Sequence, residues 1–187
     1  DVVGIDLAKN MMAKAREKGF DNILMASATS MPFRDGAFES AAMVHVLHLI
    51  PDWLAALSEL SRTVRGSLYT VATVTDKLHE PRAIYERRLE ELGYGRAYLG
   101  MHEKELARRL EPDEAEHVCD HDVTMPADIY IGNLERREYS WATRLPDDAH
   151  KAVIEEIHRA LGGTTETVRG RIFIYRWNAK RLATPIR

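Results

Sequence analysis

A chain of 187 residues with 45% hydrophobic and 29% charged side chains is long enough to bury a core and ordinary in composition for a globular fold. The formal net charge of −3 supplies no pull toward nucleic acid or acidic membranes, and a single cysteine excludes an intrachain disulfide. No apolar run approaches the about 20 residues that cross a bilayer, so the expectation is a cytoplasmic protein without a nucleic-acid or membrane partner.

Val2-Val3-Gly4-Ile5-Asp6 reads as a buried strand that ends on a carboxylate. Ala8 to Lys18 follows as an amphipathic helix, with Met11, Met12 and Ala15 on one face and Gly19 as its stop. Ile23 to Ala26 is a short apolar strand, and Asp35-Gly36 marks a turn anchored by Phe33 and Phe38. Ser40 to Leu47 is a nearly continuous apolar run, as in a strand buried on both faces. Pro51-Asp52 starts a helix carrying Trp53, Leu54, Leu57, Leu60 and Val64 at helical spacing; Gly66 is read as its end and Ser67 to Val74 as the next strand. Strand–helix–strand–strand–helix–strand with apolar strands implies an α/β fold with a mostly parallel sheet.

Beyond residue 75 the chain becomes more charged. Helices are expected over Lys77 to Leu92, His102 to Leu110, Pro126 to Tyr139 and Asp147 to Leu161, and strands over Glu116 to Thr124 and Val168 to Trp177. Two late strands separated by helices suggest an antiparallel C-terminal edge strand and an inserted helical lid, formed by segments 77–111 and 126–165 of one domain spanning 1–187. The basic stretch Arg176 to Arg181 reads as a solvated face. His117, Cys119 and His121 alternate onto one side of a strand and have zinc-capable chemistry, but a half-buried strand explains them as well, and no metal is expected. Tyr94, Tyr98, Tyr130, Tyr139 and Trp141 fit equally an aromatic substrate pocket or a lid core.

Four stretches carry a resemblance: Val3-Gly4-Ile5-Asp6-Leu7 with Met12, Ala26 to Phe33, Asp35-Gly36-Ala37-Phe38, and Val46 to Asp52. In this order and spacing they resemble class I methyltransferases that use S-adenosylmethionine, in the small-molecule branch that includes ubiquinone and menaquinone biosynthesis. The resemblance implies a Rossmann-like fold, S-adenosylmethionine as cofactor and a small-molecule methyl acceptor. It gives Asp6 the cofactor's ribose diol, since one carboxylate accepts two charge-assisted hydrogen bonds from vicinal hydroxyls; capping of the following helix is the competing role. It sets Leu7 and Met12 against adenine and ribose, Ser27 and Ala28 at the adenine edge, and Val44 and His45 beside the methionine part. Ser27 stands where the family usually has an acid, which predicts weaker adenine recognition. His48 is the candidate catalytic base, with packing in the strand-to-helix loop as its alternative.

The resembled fold has a glycine-rich strand–turn–helix before the strand that ends at Asp6, and the expectation is that this first strand and helix are missing. The sheet should then be interrupted at its centre, and the natural polypeptide longer by roughly 40–60 residues, the size of one such unit. Two other functions stay open: a catalytically inactive methyltransferase-like binding module, and a nicotinamide-dependent oxidoreductase, which also reads a ribose with an acid after its second strand.

Overall fold

Parallel pairing of β1 (Gly4–Asp6) with β2 (Ile23–Met25) joins Gly4 to Ile23, Ile5 to Leu24 and Asp6 to Met25 in the computed structural model, which describes residues 1–183. Between them α1 (Lys9–Glu17) turns its Met12 inward, and Gly19 closes the turn at φ +82°, a conformation glycine adopts without a Cβ penalty. A second parallel pair follows. β3 (Phe38–Val44) leads through a 3-10 turn at Leu47–Leu49 into α2 (Trp53–Thr63) and back along β4 (Val64–Thr75). Asp52 caps α2 by accepting a hydrogen bond from the Ala55 amide at 3.1 Å, satisfying one of the donors that every helix start leaves open.

The expected order of the first 75 residues holds, and the sheet is interrupted as expected. β1 and β2 form a two-stranded ladder of their own, while β3 begins a separate four-stranded sheet of order β3-β4-β8-β5. Three local expectations fail. Gly66 does not end the helix: α2 runs directly into β4, and Gly66 lies inside the strand. Its role is close approach, because a Cβ there would stand 2.6 Å from the Glu39 carbonyl oxygen at the register shift in β3. The apolar run from Ser40 does not stay in one strand either, since β3 stops at Val44 and His45 takes φ 51°. Nor is β3 buried on both faces. Met43 is buried, whereas Ser40, Ala42 and Val44 are exposed, because β3 ends its sheet and borders an open cleft.

The later helices occur where expected, as α3 (Glu80–Glu91), α4 (Glu103–Arg109), α5 (Ala127–Glu135) and α6 (Asp147–Leu161). The late strands number four among the described residues rather than two. Glu116 to Thr124 divides into β5 (Glu114–Asp120) and β6 (Val123–Pro126), and β8 (Gly170–Asn178) is preceded by β7 (Thr165–Val168), antiparallel to β6. β5 and β8 run in opposite directions, since the Asp113 amide bonds to the Arg176 carbonyl while the His121 amide bonds to that of Gly170.

The chain divides into two compact units. The first comprises Asp1–Val71, Gly100–Ala115 and the stretch from Ile174. Its core gathers Leu47, Leu57, Leu60, Leu68, Leu106 and Trp177. The basic stretch near the C-terminus is not simply solvated: Trp177 is fully buried, Arg176 pairs with Glu114, Arg181 with Asp113, and Lys180 donates to the Ser61 carbonyl. Replacing the fully buried Leu57 by Ala should cost about 2–5 kcal/mol through lost burial and the cavity left behind. Urea unfolding would show a lower midpoint at unchanged slope; an unshifted midpoint would mean that Leu57 is not a core residue.

The second unit comprises Ala72–Leu99 and Glu116–Phe173, with a core of Tyr85, Leu89, Ile131, Leu134, Trp141 and Ile157. Within it the Tyr85 hydroxyl lies 2.7 Å from Nδ1 of buried His150 and 3.1 Å from the Ala142 carbonyl oxygen. Burial, reinforced by the nearby Arg137 cation, depresses the His150 pKa against the weaker opposing effect of Asp147 and Glu135. A depressed histidine stabilises the fold while neutral, and that contribution is lost as pH falls below the ordinary value of about 6.5. Stability should therefore decline on acidification below that pH, and His150→Gln should flatten this part of the profile. An unchanged profile in the variant would exclude His150 as the cause.

Candidate cofactor site

The candidate residues come from three short segments of the first unit: the end of β1, the turn after β2, and the end of β3. Asp6 is the last residue of β1, and its backbone carbonyl accepts from the Ala26 amide at 3.2 Å, which stitches the two strand ends together. Its carboxylate Oδ1 accepts from the Ala8 amide at 2.8 Å. The capping role expected as an alternative is thus present, but it uses one oxygen. Oδ2 has no hydrogen bond among the described residues, so the half-buried carboxylate retains acceptor capacity.

Leu7 and Met12 do not share an environment. Leu7 is 66% exposed at the strand–helix turn, free to lie against a ligand, while Met12 is 6% exposed and packed into the protein. Ser27 and Ala28 occupy a tight turn closed by the Ser30 amide on the Ser27 carbonyl at 3.2 Å. The Ser27 hydroxyl is already engaged, 2.8 Å from the Thr29 hydroxyl and accepting from the Thr29 amide at 3.2 Å. A serine here organises its own turn, whereas a longer acid would reach outward. Val44 is exposed at the end of β3, and exposed His45 holds a left-handed backbone, uncommon for a residue with a Cβ and a sign that the chain is forced to turn there. His48 lies beyond this turn, half-buried in the 3-10 segment, with its ring stacked on that of His102 at 5.0 Å between centroids.

Between β1 and β3 opens a cleft of about 370 Å³. Its walls include Val3 just before β1, Ile5 of β1, Ala41 and Met43 of β3, and Ala28 and Val46 from the loops that follow β2 and β3. Of the expected residues, Ala28 lines the cleft directly and Asp6 follows the wall residue Ile5.

Sequence reasoning did not find the group that fixes the rim of this site. Arg62 on α2 donates to the carbonyls of Phe33 at 2.7 Å and Met31 at 3.1 Å and pairs with Asp35 and Glu59. Glu59 in turn accepts from the Met31 amide at 2.6 Å. The Arg62 hydrogen bond holds the Glu59 pKa below the usual carboxylate range, and the carboxylates raise that of Arg62. One guanidinium thus replaces regular secondary structure across Met31–Asp35. The Asp35-Gly36 turn was the sequence signal for it, but its partner on a distant helix was not.

The other sequence clusters lie elsewhere. Tyr130 and Trp141 are buried in the core of the second unit and Tyr139 stacks on both, while Tyr94 is exposed. β5 is exposed along its whole length rather than half-buried, and His117 lies 3.2 Å from Asp120 across the end of that strand.

Residues 1–69 match the methyltransferase domain family. A demethylmenaquinone methyltransferase of Staphylococcus saprophyticus is 33% identical over 85 residues, which are 43% of this chain and 36% of that protein. One from Lactococcus lactis is 30% identical over 95 residues, covering 48% of this chain and 37% of the relative. The matched part thus spans little more than a third of these relatives. Among solved structures, a putative methyltransferase from Bacillus halodurans superposes with a TM-score of 0.53 at 18% identity, over 95% of this chain and 82% of that one. The YcgJ protein of Bacillus subtilis gives 0.52 at 17% identity, over 94% and 81%. At these identities the structural likeness establishes a Rossmann-like fold, mixed between a mostly parallel sheet and antiparallel strands.

Proposed function

We propose, from the match of residues 1–69 to the methyltransferase domain family, that the protein is of the class I type and transfers a methyl group from S-adenosylmethionine to a small-molecule acceptor. The observation that carries the reading is Asp6, a carboxylate at the end of a parallel strand, next to a tight turn at Ser27 and to an open cleft. In open α/β sheets ligands bind outside the carboxyl ends of the strands, and Asp6, Ser27 and Val44 all occupy or follow such ends. The cofactor would supply an electrophilic methyl group on a sulfonium. Asp6 would accept the ribose hydroxyls, exposed Leu7 would cover the adenosine, and the Ala28 backbone would border the adenine. Val44 and His45 would flank the methionine portion. Met12 would act from beneath, supporting the β1–α1 turn. The free oxygen of Asp6 at the strand end fits such a ligand, while the cleft between β1 and β3, lined by strand interiors, lies where the sheet is interrupted.

Transfer of a methyl group needs in-line alignment of acceptor and sulfonium more than it needs a base, so the proposal requires no proton acceptor among these residues. No helix among the described residues is long and apolar enough to cross a membrane, and the proposed acceptor is a small molecule.

A second reading, a binding module without catalysis, is favoured by one observation: the Ser27 hydroxyl, standing where the resemblance implies an acid, is already engaged with the Thr29 hydroxyl and amide and carries no charge. Calorimetry of the natural full-length protein with S-adenosylmethionine, S-adenosylhomocysteine and reduced nicotinamide cofactor separates these readings. Heat with the first two alone supports the methyltransferase reading. No heat with any ligand supports the inert module, and heat with the nicotinamide cofactor alone would replace both by an oxidoreductase.

A further inference from the structure

A second group of chemically capable side chains lies in the first unit, outside the cofactor residues. His48 stands in the 3-10 turn after β3, His102 immediately before α4, and Glu103 is the first residue of that helix. One donor atom from each of the three lies within 4.8 Å of those of the other two. Glu103 is 3% exposed, and its Oε1 is buried with no hydrogen-bond partner among the described residues. Burying a carboxylate oxygen without a partner is costly, and natural folds tolerate it where a cation or another ligand completes the group.

The surrounding backbone is built to hold these side chains together. The Gly100 amide donates to the His48 carbonyl at 3.0 Å, and a Cβ on Gly100 would stand 2.3 Å from the Leu47 carbonyl oxygen and 2.5 Å from that of Ile50. Only glycine lets the two segments touch this closely. Met101 and Leu106 then anchor the second segment in the core, at 7% and 0% exposure. His102 and Glu103 are therefore delivered to His48 by a rigid frame, and the two imidazole rings already lie nearly parallel, at 15°.

We propose that His48, His102 and Glu103 form a binding site for a divalent transition-metal ion, with Zn²⁺ as the best-fitting ion. Two imidazoles and one carboxylate form a donor set that zinc accepts in three-ligand sites with an open fourth position, whereas magnesium and calcium favour oxygen alone. With metal–donor bonds of about 2.1 Å the donor atoms must come to about 3.4 Å from each other. The donor atoms must therefore draw together from separations of up to 4.8 Å. The site gives His48 a task other than the proton transfer expected from the sequence, and it does not depend on the methyl-transfer reading.

The test is a Zn²⁺ titration by calorimetry of the natural full-length protein after chelator treatment, with X-ray absorption spectroscopy at the zinc edge. The expected result is one ion per chain in a shell of nitrogen and oxygen without sulfur. His102→Ala and Glu103→Gln should each weaken binding by about 100-fold or more, the upper end of the loss seen when a residue merely orients a ligand. The triple variant His117→Ala/Cys119→Ser/His121→Ala on exposed β5, the rival donor set, should bind as the parent does. Absence of zinc binding, sulfur in the shell, loss of binding in the β5 variant, or full affinity in both His102→Ala and Glu103→Gln would each overturn the site. Should the single variants unfold by circular dichroism, the parent's absorption spectrum and the β5 variant decide alone.

Discussion

Asp6→Ala is expected to lower the affinity for S-adenosylhomocysteine by at least about 100-fold. Each hydrogen bond to a charged acceptor is worth about 1.5–3 kcal/mol, and the proposed role gives Asp6 two of them, against 1.4 kcal/mol for each tenfold in affinity. The same substitution removes the acceptor for the Ala8 amide, so a stability loss of about 1 kcal/mol, typical of a lost cap, should accompany it. Asp6→Asn separates the two effects. It keeps an oxygen for Ala8, preserving stability, but loses the charge and one acceptor, so affinity should still fall. Calorimetry and urea unfolding on the same samples read both quantities. If Asp6→Ala bound the ligand within about threefold of the parent, less than the effect of one lost hydrogen bond, the ribose role would be excluded.

Gly100→Ala should be the most damaging glycine substitution outside the strands. The new methyl group would meet three backbone atoms, the Leu47 and Ile50 carbonyl oxygens and the His48 carbonyl carbon at 2.9 Å. Backbone cannot swing aside as a flexible side chain can, so the two segments must separate. The expected cost is about 2–3 kcal/mol, in the range of overpacked cores, with loss of zinc binding because His102 and Glu103 move with the segment. Gly93→Ala provides the contrast. Gly93 has φ +82° but nothing within 4 Å of a Cβ, so only the backbone penalty of about 1–2 kcal/mol applies and zinc binding should persist. Equal stability and equal zinc affinity in the two variants would show that the Gly100 contact does not organise this region.

The first 75 residues were legible because period and punctuation agree there. The apolar run ending at Asp6, the helical spacing from Trp53 to Leu60 and the cap at Asp52 each point to one element, and each element formed. Gly66 misled because glycine serves both as a helix stop and as a site of close approach, and only the position of the Glu39 carbonyl decides between them. The late strands were harder to read: β5 is exposed at every position, so no alternation marked its end at Asp120 or the start of β6 at Val123. Of the candidate site, Asp6 and the loop after β2 could be located from local pattern. The opposite orientations of Leu7 and Met12 depend on how α1 packs, which pattern alone leaves open. Arg62 and the group of His48, His102 and Glu103 were invisible for another reason. Their partners are distant in the chain, and no fixed spacing connects them. Gly100, which permits the second grouping, carries no sequence mark beyond being a glycine.

In the proposed site the carboxylate ending β1 holds the ribose of a methyl-donor nucleoside. A crystal structure of the natural full-length protein with S-adenosylhomocysteine tests it most directly. Both ribose hydroxyls are expected on Asp6, with the adenine against the Ser27–Ala28 turn and the amino-acid end toward Val44 and His45. A ligand bound with its ribose away from Asp6, or no ligand at saturating concentration, would contradict it.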